Sequence, residues 1–164
     1  MHKTHFSWVK TIVFTLALSE AALIFIGLQF IPYGRGHNDP PVKAEPTWDS
    51  PKTRELFVRA CGDCHSNGTV WPWYGYIAPI SWLIQYDIDK SRVAFNVSEW
   101  GRGKSNSRNA AETVRSGLMP PTRYTILHPS ARLSASEKQA FIQGLVATFD
   151  SKHESEQKVE QRDD

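Results

Sequence analysis

The longest apolar run in the chain is Thr11–Ile31, dominated by Ile, Val, Leu, Phe and Ala, with Glu20 its one charged residue. A hydrocarbon core of ~30 Å takes about 20 helical residues, so this run predicts a single transmembrane helix. A cleaved signal peptide is the rival reading, with an apolar core of ~7–15 residues that ends at a small-residue site. Here the run is longer, and Leu28-Gln29-Phe30-Ile31-Pro32-Tyr33 offers no such site. An uncleaved anchor is therefore expected. Lys3 and Lys10 precede the span and keep the short N-terminus on the cytoplasmic side, although Arg35 and Lys43 weaken the asymmetry. Glu20 at mid-span reads either as a contact with another membrane subunit or as a protonated, tolerated side chain.

Past the run the pattern changes. Residues 32–48 hold Pro32, Pro40, Pro41 and Pro46 without hydrophobic periodicity, which predicts a semi-stiff linker. Ser50-Pro51 reads as an N-cap followed by proline at the first helical position, opening a helix through Leu56, Phe57 and Ala60. Ser134-Ala135-Ser136-Glu137 is a capping box. The helix it opens repeats Phe141, Leu145 and Phe149 at i, i+4 and i+8, with Ile142 and Val146 beside them. Ile80–Ile88 is a further, more ragged helix, inside a stretch from Trp71 to Trp100 that is dense in aromatics. No sustained strand alternation appears. The expected fold is mainly α with long loops. The expected layout is a cytoplasmic tip and transmembrane anchor over 1–31, a linker over 32–48, a domain over 49–150 and a charged, disordered tail over 151–164.

Composition adds limits. Hydrophobic residues make up 40% and charged residues 22% of the 164, as in ordinary globular proteins. A net charge of +2, without basic residues interleaved with aromatics, argues against a nucleic-acid partner. No Ser-His-Asp set, paired-carboxylate signature or phosphate-binding glycine loop is recognisable.

Cys61-Gly62-Asp63-Cys64-His65 contains both cysteines of the chain. Two thiols three residues apart, followed at once by histidine, have the spacing of a c-type haem attachment site. Each thiol adds across one vinyl group and His65 becomes the proximal iron ligand. A disulfide, a redox dithiol or half a zinc site are the rivals. Zinc lacks a second cysteine pair here, and a redox dithiol does not require His65. One covalently attached haem c is expected, and with it a cytochrome-c-like domain placed outside the bacterial cytoplasmic membrane, in the periplasm. The aromatics of Trp71–Trp100 would then wall the haem pocket.

Met119, the only methionine besides the initiator, lies in Gly117-Leu118-Met119-Pro120-Pro121 and is the expected distal ligand. His128, in Leu127-His128-Pro129, is the alternative and would give bis-histidine ligation. His37 and His153 lie in the linker and the tail, and His2 and His5 across the membrane. Arg102, Lys104, Arg108 and Arg115 form a basic stretch ahead of Met119; one of these, or Arg123, is expected to pair with a haem propionate.

The sequence around the cysteines, Cys61-Gly62-Asp63-Cys64-His65-Ser66-Asn67-Gly68-Thr69 followed by Trp71-Pro72-Trp73-Tyr74, resembles the bacterial haem-binding domain family. Ile77-Ala78-Pro79-Ile80-Ser81-Trp82, Asn96-Val97-Ser98-Glu99-Trp100, Met119-Pro120-Pro121 with Tyr124, and His128-Pro129 before Ala131-Arg132-Leu133-Ser134 extend the likeness over about Asn38–Phe149. It implies mono-haem binding, a cytochrome-c-like fold and Met119 as distal ligand, and implies no particular reaction. The expected function is a single-pass, membrane-tethered electron carrier of the bacterial inner membrane, serving redox partner proteins at the periplasmic face and not an enzyme. A haem peroxidase or gas or redox sensor with a displaceable distal ligand, and an accessory haem subunit of a larger membrane complex, are the alternatives.

Overall fold

Ser50 folds the chain into its second helix as its sequence position foretells: its Oγ accepts a hydrogen bond from Thr53 N at 3.2 Å, ahead of Pro51 at the first helical position. The structure, a computed structural model, describes residues 2–101 and 106–149, with side chains from Trp8 onward. The described residues form six α-helices in order: α1 (His2–Leu28), α2 (Pro51–His65), α3 (Ile80–Ala94), α4 (Ala110–Arg115), α5 (Thr122–Leu127) and α6 (Ala135–Phe149). Short 3₁₀ turns link several of them, and the described residues contain no strand beyond one isolated bridge between Ala44 and Glu99. The fold is mainly α, as expected. The two helices of six residues, α4 and α5, fall where the sequence offered only loop. The charged tail, together with Arg102, Lys104 and His153, lies outside the described residues.

The chain divides into two compact units. One contains α1, the chain as far as His37, and Pro72–Tyr86; the other contains Asn38–Trp71 and the chain from Asp87 onward. In the first, the apolar stretch Trp8–Leu28 spans 21 residues and is long and apolar enough to cross a membrane. The side-chain amide of Gln29, just past the end of α1, donates to the carbonyl of Ala78 at 2.9 Å, and its carbonyl accepts from Ala78 N at 3.1 Å. Gly34, at φ +75, lies so close to Ser81 that a Cβ there would collide with the Ser81 carbonyl.

In the second unit, α2, α4 and α6 bury a core of Leu56, Phe57, Val97, Val114, Phe141, Leu145 and Phe149 with Ala110 and Ala111. The helices α2 and α6 cross at Gly144, where a Cβ would run into Thr53. Arg59 on α2 donates to Glu137 at the start of α6 at 2.6 Å. The capping box is reciprocal: Ser134 N donates to Glu137 Oε2 at 2.9 Å, and Glu137 N to Ser134 Oγ at 3.2 Å.

The expected linker needs correcting. From Asn38 to Trp48 the chain is fastened to the second unit. Arg92 donates to the Asn38 carbonyl and to Asp39 Oδ1, each at 3.0 Å, and Trp71 Nε1 to Asp39 Oδ2 at 3.0 Å. The backbone N–H groups of Lys43 and Ala44 both donate to the Ser98 carbonyl. Proline stiffened this stretch, but side chains far along the chain supply the polar partners that hold it down.

Candidate haem site

Cys61, Cys64 and His65 belong to the last turn of α2, which presents all three to a cavity of about 470 Å³. Met119 lines the same cavity, together with Phe57, Val114, Phe95, Leu145, Tyr124 and Arg123. Its volume lies within the ~300–1,000 Å³ usual for pockets that take ligands of cofactor size.

The histidine is held from two sides. Its Nδ1 donates to the Phe95 carbonyl at 3.1 Å, and its ring stacks on that of Phe95 at 4.2 Å between centroids, 17° from parallel. A proton kept on Nδ1 leaves Nε2 with its lone pair, the state in which imidazole binds a metal. Burial draws the His65 pKa below the ordinary histidine value, against the Phe95 and Ser91 carbonyls, which push it up. The ring is therefore neutral at pH 7.

Both cysteines are free thiols. Burial, followed by the neighbouring Cys64, pushes Cys61 up to about 12; burial, followed by Asp63, pushes Cys64 up to about 11. Neither is a thiolate at neutral pH. Among the described residues no cluster of three or more His, Cys, Asp and Glu could hold a metal ion.

The loop after the motif is pinned by its own polar residues. Ser66 Oγ donates to the Gly62 carbonyl at 2.7 Å, Thr69 Oγ1 to the Asp63 carbonyl at 2.7 Å, and Asn96 Nδ2 to Asn67 Oδ1 at 2.7 Å. Arg92 Nε donates to the Ser66 carbonyl at 2.9 Å. Asp63 was not singled out in the sequence, yet it accepts from Val70 N at 2.9 Å and from the Tyr124 hydroxyl at 2.6 Å. Burial, and then Asp63, pushes the Tyr124 pKa up, so the phenol stays a donor.

Met119 packs against the core, and its N–H donates to the Thr113 carbonyl at 3.0 Å. His128 does not line the cavity: its Nδ1 donates to the Tyr124 carbonyl at 3.0 Å and its ring stacks on Tyr124 at 4.1 Å. Arg123 reaches the cavity and pairs with Asp87 at 2.9 Å, whereas Arg115 pairs with Glu112. The aromatic wall expected from Trp71–Trp100 needs correcting as well. Phe95 is the one aromatic of that stretch on the cavity. Trp100 stacks on Phe149 in the core, and Trp73, Tyr76 and Tyr86 are exposed.

Two thiols and a histidine on one helical turn, with a thioether facing the same largely apolar cavity, define a haem-binding domain. The model of the haem-binding domain family matches residues 23–147, and the chain belongs to that family. It is also similar to the cytochrome c peroxidase Ccp of Escherichia coli strain K12, with 25% identity over 135 residues. That match covers 75% of this chain and 29% of the relative, so the chain spans well under a third of that protein's length. No solved structure matches it significantly.

Proposed function

We propose that the protein is a membrane-tethered c-type cytochrome that carries single electrons at the periplasmic face, with one haem bound covalently through Cys61 and Cys64. The observation that carries this reading is the convergence of Cys61, Cys64, His65 and Met119 on one cavity. When bound, the haem supplies a one-electron couple at its iron, set to higher potential by a thioether ligand. The chain's own residues do the rest. His65 would hold the iron through Nε2, its ring oriented by the Nδ1 hydrogen bond to the Phe95 carbonyl. Met119 offers its sulfur from a loop bounded by Pro120 and Pro121. Arg123, at the cavity, offers its guanidinium to a propionate. The apolar span Trp8–Leu28 anchors the chain, with Lys3 and Lys10 on the cytoplasmic side. Its redox partners are membrane-associated proteins.

Likeness to the peroxidase supports one second reading, a peroxidase in which Met119 would not hold the iron firmly and peroxide would be reduced there. Optical spectra and redox titration of Met119→Ala separate the two. For an electron carrier, the substitution removes the long-wavelength sulfur-to-iron band of the oxidised protein and lowers the potential, while the parent protein binds CO poorly when reduced. Ready CO binding by the parent, with peroxide turnover, would favour the peroxidase. An effect of His128→Ala where Met119→Ala has none would make the ligation bis-histidine.

A further inference from the structure

Pro72–Tyr86 contains no Asp, Glu, Lys or Arg over fifteen consecutive residues, yet much of it faces outward. Trp73 is 75% exposed and Leu83 52%, and Tyr76, Ile80 and Tyr86 are exposed too. Ile80, Leu83 and Tyr86 recur every three residues and so share one side of α3. An uncharged surface rich in large side chains is costly in water and marks a contact.

The position of this segment identifies the contact. It belongs to the same compact unit as α1. Its Ala78 is clasped at both backbone groups by Gln29, the first residue beyond the apolar helix, and its Ser81 lies against Gly34. The chain between is also uncharged: from Ala21 the first charge is Arg35, whose Nη2 donates to Gln29 Oε1 at 3.0 Å. Phe30 and Tyr33 are exposed beside it. Trp and Tyr concentrate at the headgroup level of a bilayer, where an apolar ring meets a polar rim, and a cation beyond them reaches the phosphates. A protein interface of this kind carries Arg and a polar rim within it; Pro72–Tyr86 itself has no charged residue, and the first along the connection from α1 is Arg35.

We propose that Pro72–Tyr86 is a membrane foot. Trp73, Tyr76, Ile80 and Leu83 enter the boundary between headgroups and acyl chains beside the point where α1 leaves the bilayer. This rests on the reading of Trp8–Leu28 as a transmembrane anchor. The foot adds a second attachment, which fixes the height of its unit above the bilayer where a single helix end would leave it free to tilt.

The test uses the full-length holoprotein in vesicles of phosphatidylcholine and phosphatidylglycerol. A photoreactive benzoylphenylalanine is placed in turn at positions 73, 83, 16 and 58, and adducts are read by mass spectrometry, with the haem spectrum confirming folding. Leu16 reports the span, and Val58, exposed on α2 in the other unit, is the reference. Lipid adducts at 73 and 83 about tenfold above those at 58, equivalent to about 1.4 kcal/mol of preferred lipid contact, are expected. Adducts at 16 with only reference levels at 73 and 83 overturn the foot and leave the anchor standing. Chain-to-chain adducts at 73 or 83 overturn it in favour of a protein contact. Absence of lipid adducts at 16 overturns the anchor and the foot together.

Discussion

Asp63 is the residue between the two cysteines whose side chain ties the motif to the rest of the cavity. Its carboxylate takes the Tyr124 hydroxyl at 2.6 Å, and Tyr124 lies on α5, directly after the Met119-Pro120-Pro121 loop. Removing the hydroxyl leaves a part-buried carboxylate short of a donor. Tyr124→Phe should therefore cost about 1–3 kcal/mol in denaturant unfolding and, if Met119 holds the iron as proposed, weaken the sulfur-to-iron band by loosening the loop. An unchanged midpoint and band would mean that the pair is idle. Cys61, Cys64, His65 and Met119 were picked out by their immediate neighbours in the sequence, and the structure groups all four on one cavity. The Asp63–Tyr124 pair was not picked out, since its members stand 61 residues apart and neither has a local signature.

At the level of elements, local chemistry was the best guide. Ser50 and the Ser134–Glu137 box act through residues three positions away, and both form as expected. The crossing of α2 and α6 depends on Gly144, which a sequence pattern does not distinguish from any other helical glycine. Gly144→Ala should destabilise the second unit by about 1–3 kcal/mol through overpacking against Thr53, despite alanine's better helix propensity. Thermal unfolding of the holoprotein checks this. Glu137 gives the same crossing a dependence on pH. The Ser134 backbone N–H, then Arg59, hold its pKa down at about 2 from an ordinary 4.5. With the folded value below the unfolded one, its contribution is complete above about 4.5 and disappears as the pH falls through about 2. Glu137→Gln should flatten stability over that window, in acid titration followed by circular dichroism. The aromatic stretch misled because density of rings reads as burial, whereas exposure of Trp73, Tyr76 and Tyr86 depends on which unit they join.

For the whole molecule, the boundaries were the least legible part. Proline and missing periodicity describe residues 32–48 equally well as tether or as strap, and the partners that decide, Arg92, Trp71 and Ser98, lie far downstream. Exported chains beginning at Asn38 and at Pro40 should therefore differ. The first keeps Asp39 against Arg92 and Trp71 and the Asn38 carbonyl against Arg92; the second loses all three hydrogen bonds and should be less stable by about 1–3 kcal/mol. Equal unfolding midpoints would show that the strap contributes nothing.

The placing of the two half-buried thiols on the cavity also bears on when the proposed attachment could occur. Burial in the folded domain, followed by Cys64, pushes the Cys61 thiol up to about 12 from 9.0, so folding disfavours the thiolate at neutral pH. If the haem is held covalently through Cys61 and Cys64, as proposed, its capture would be easier before the domain closes, while both cysteines are in water. A chain allowed to fold first would then be the poorer acceptor, and haem added to the folded apoprotein should attach more slowly than haem present during refolding.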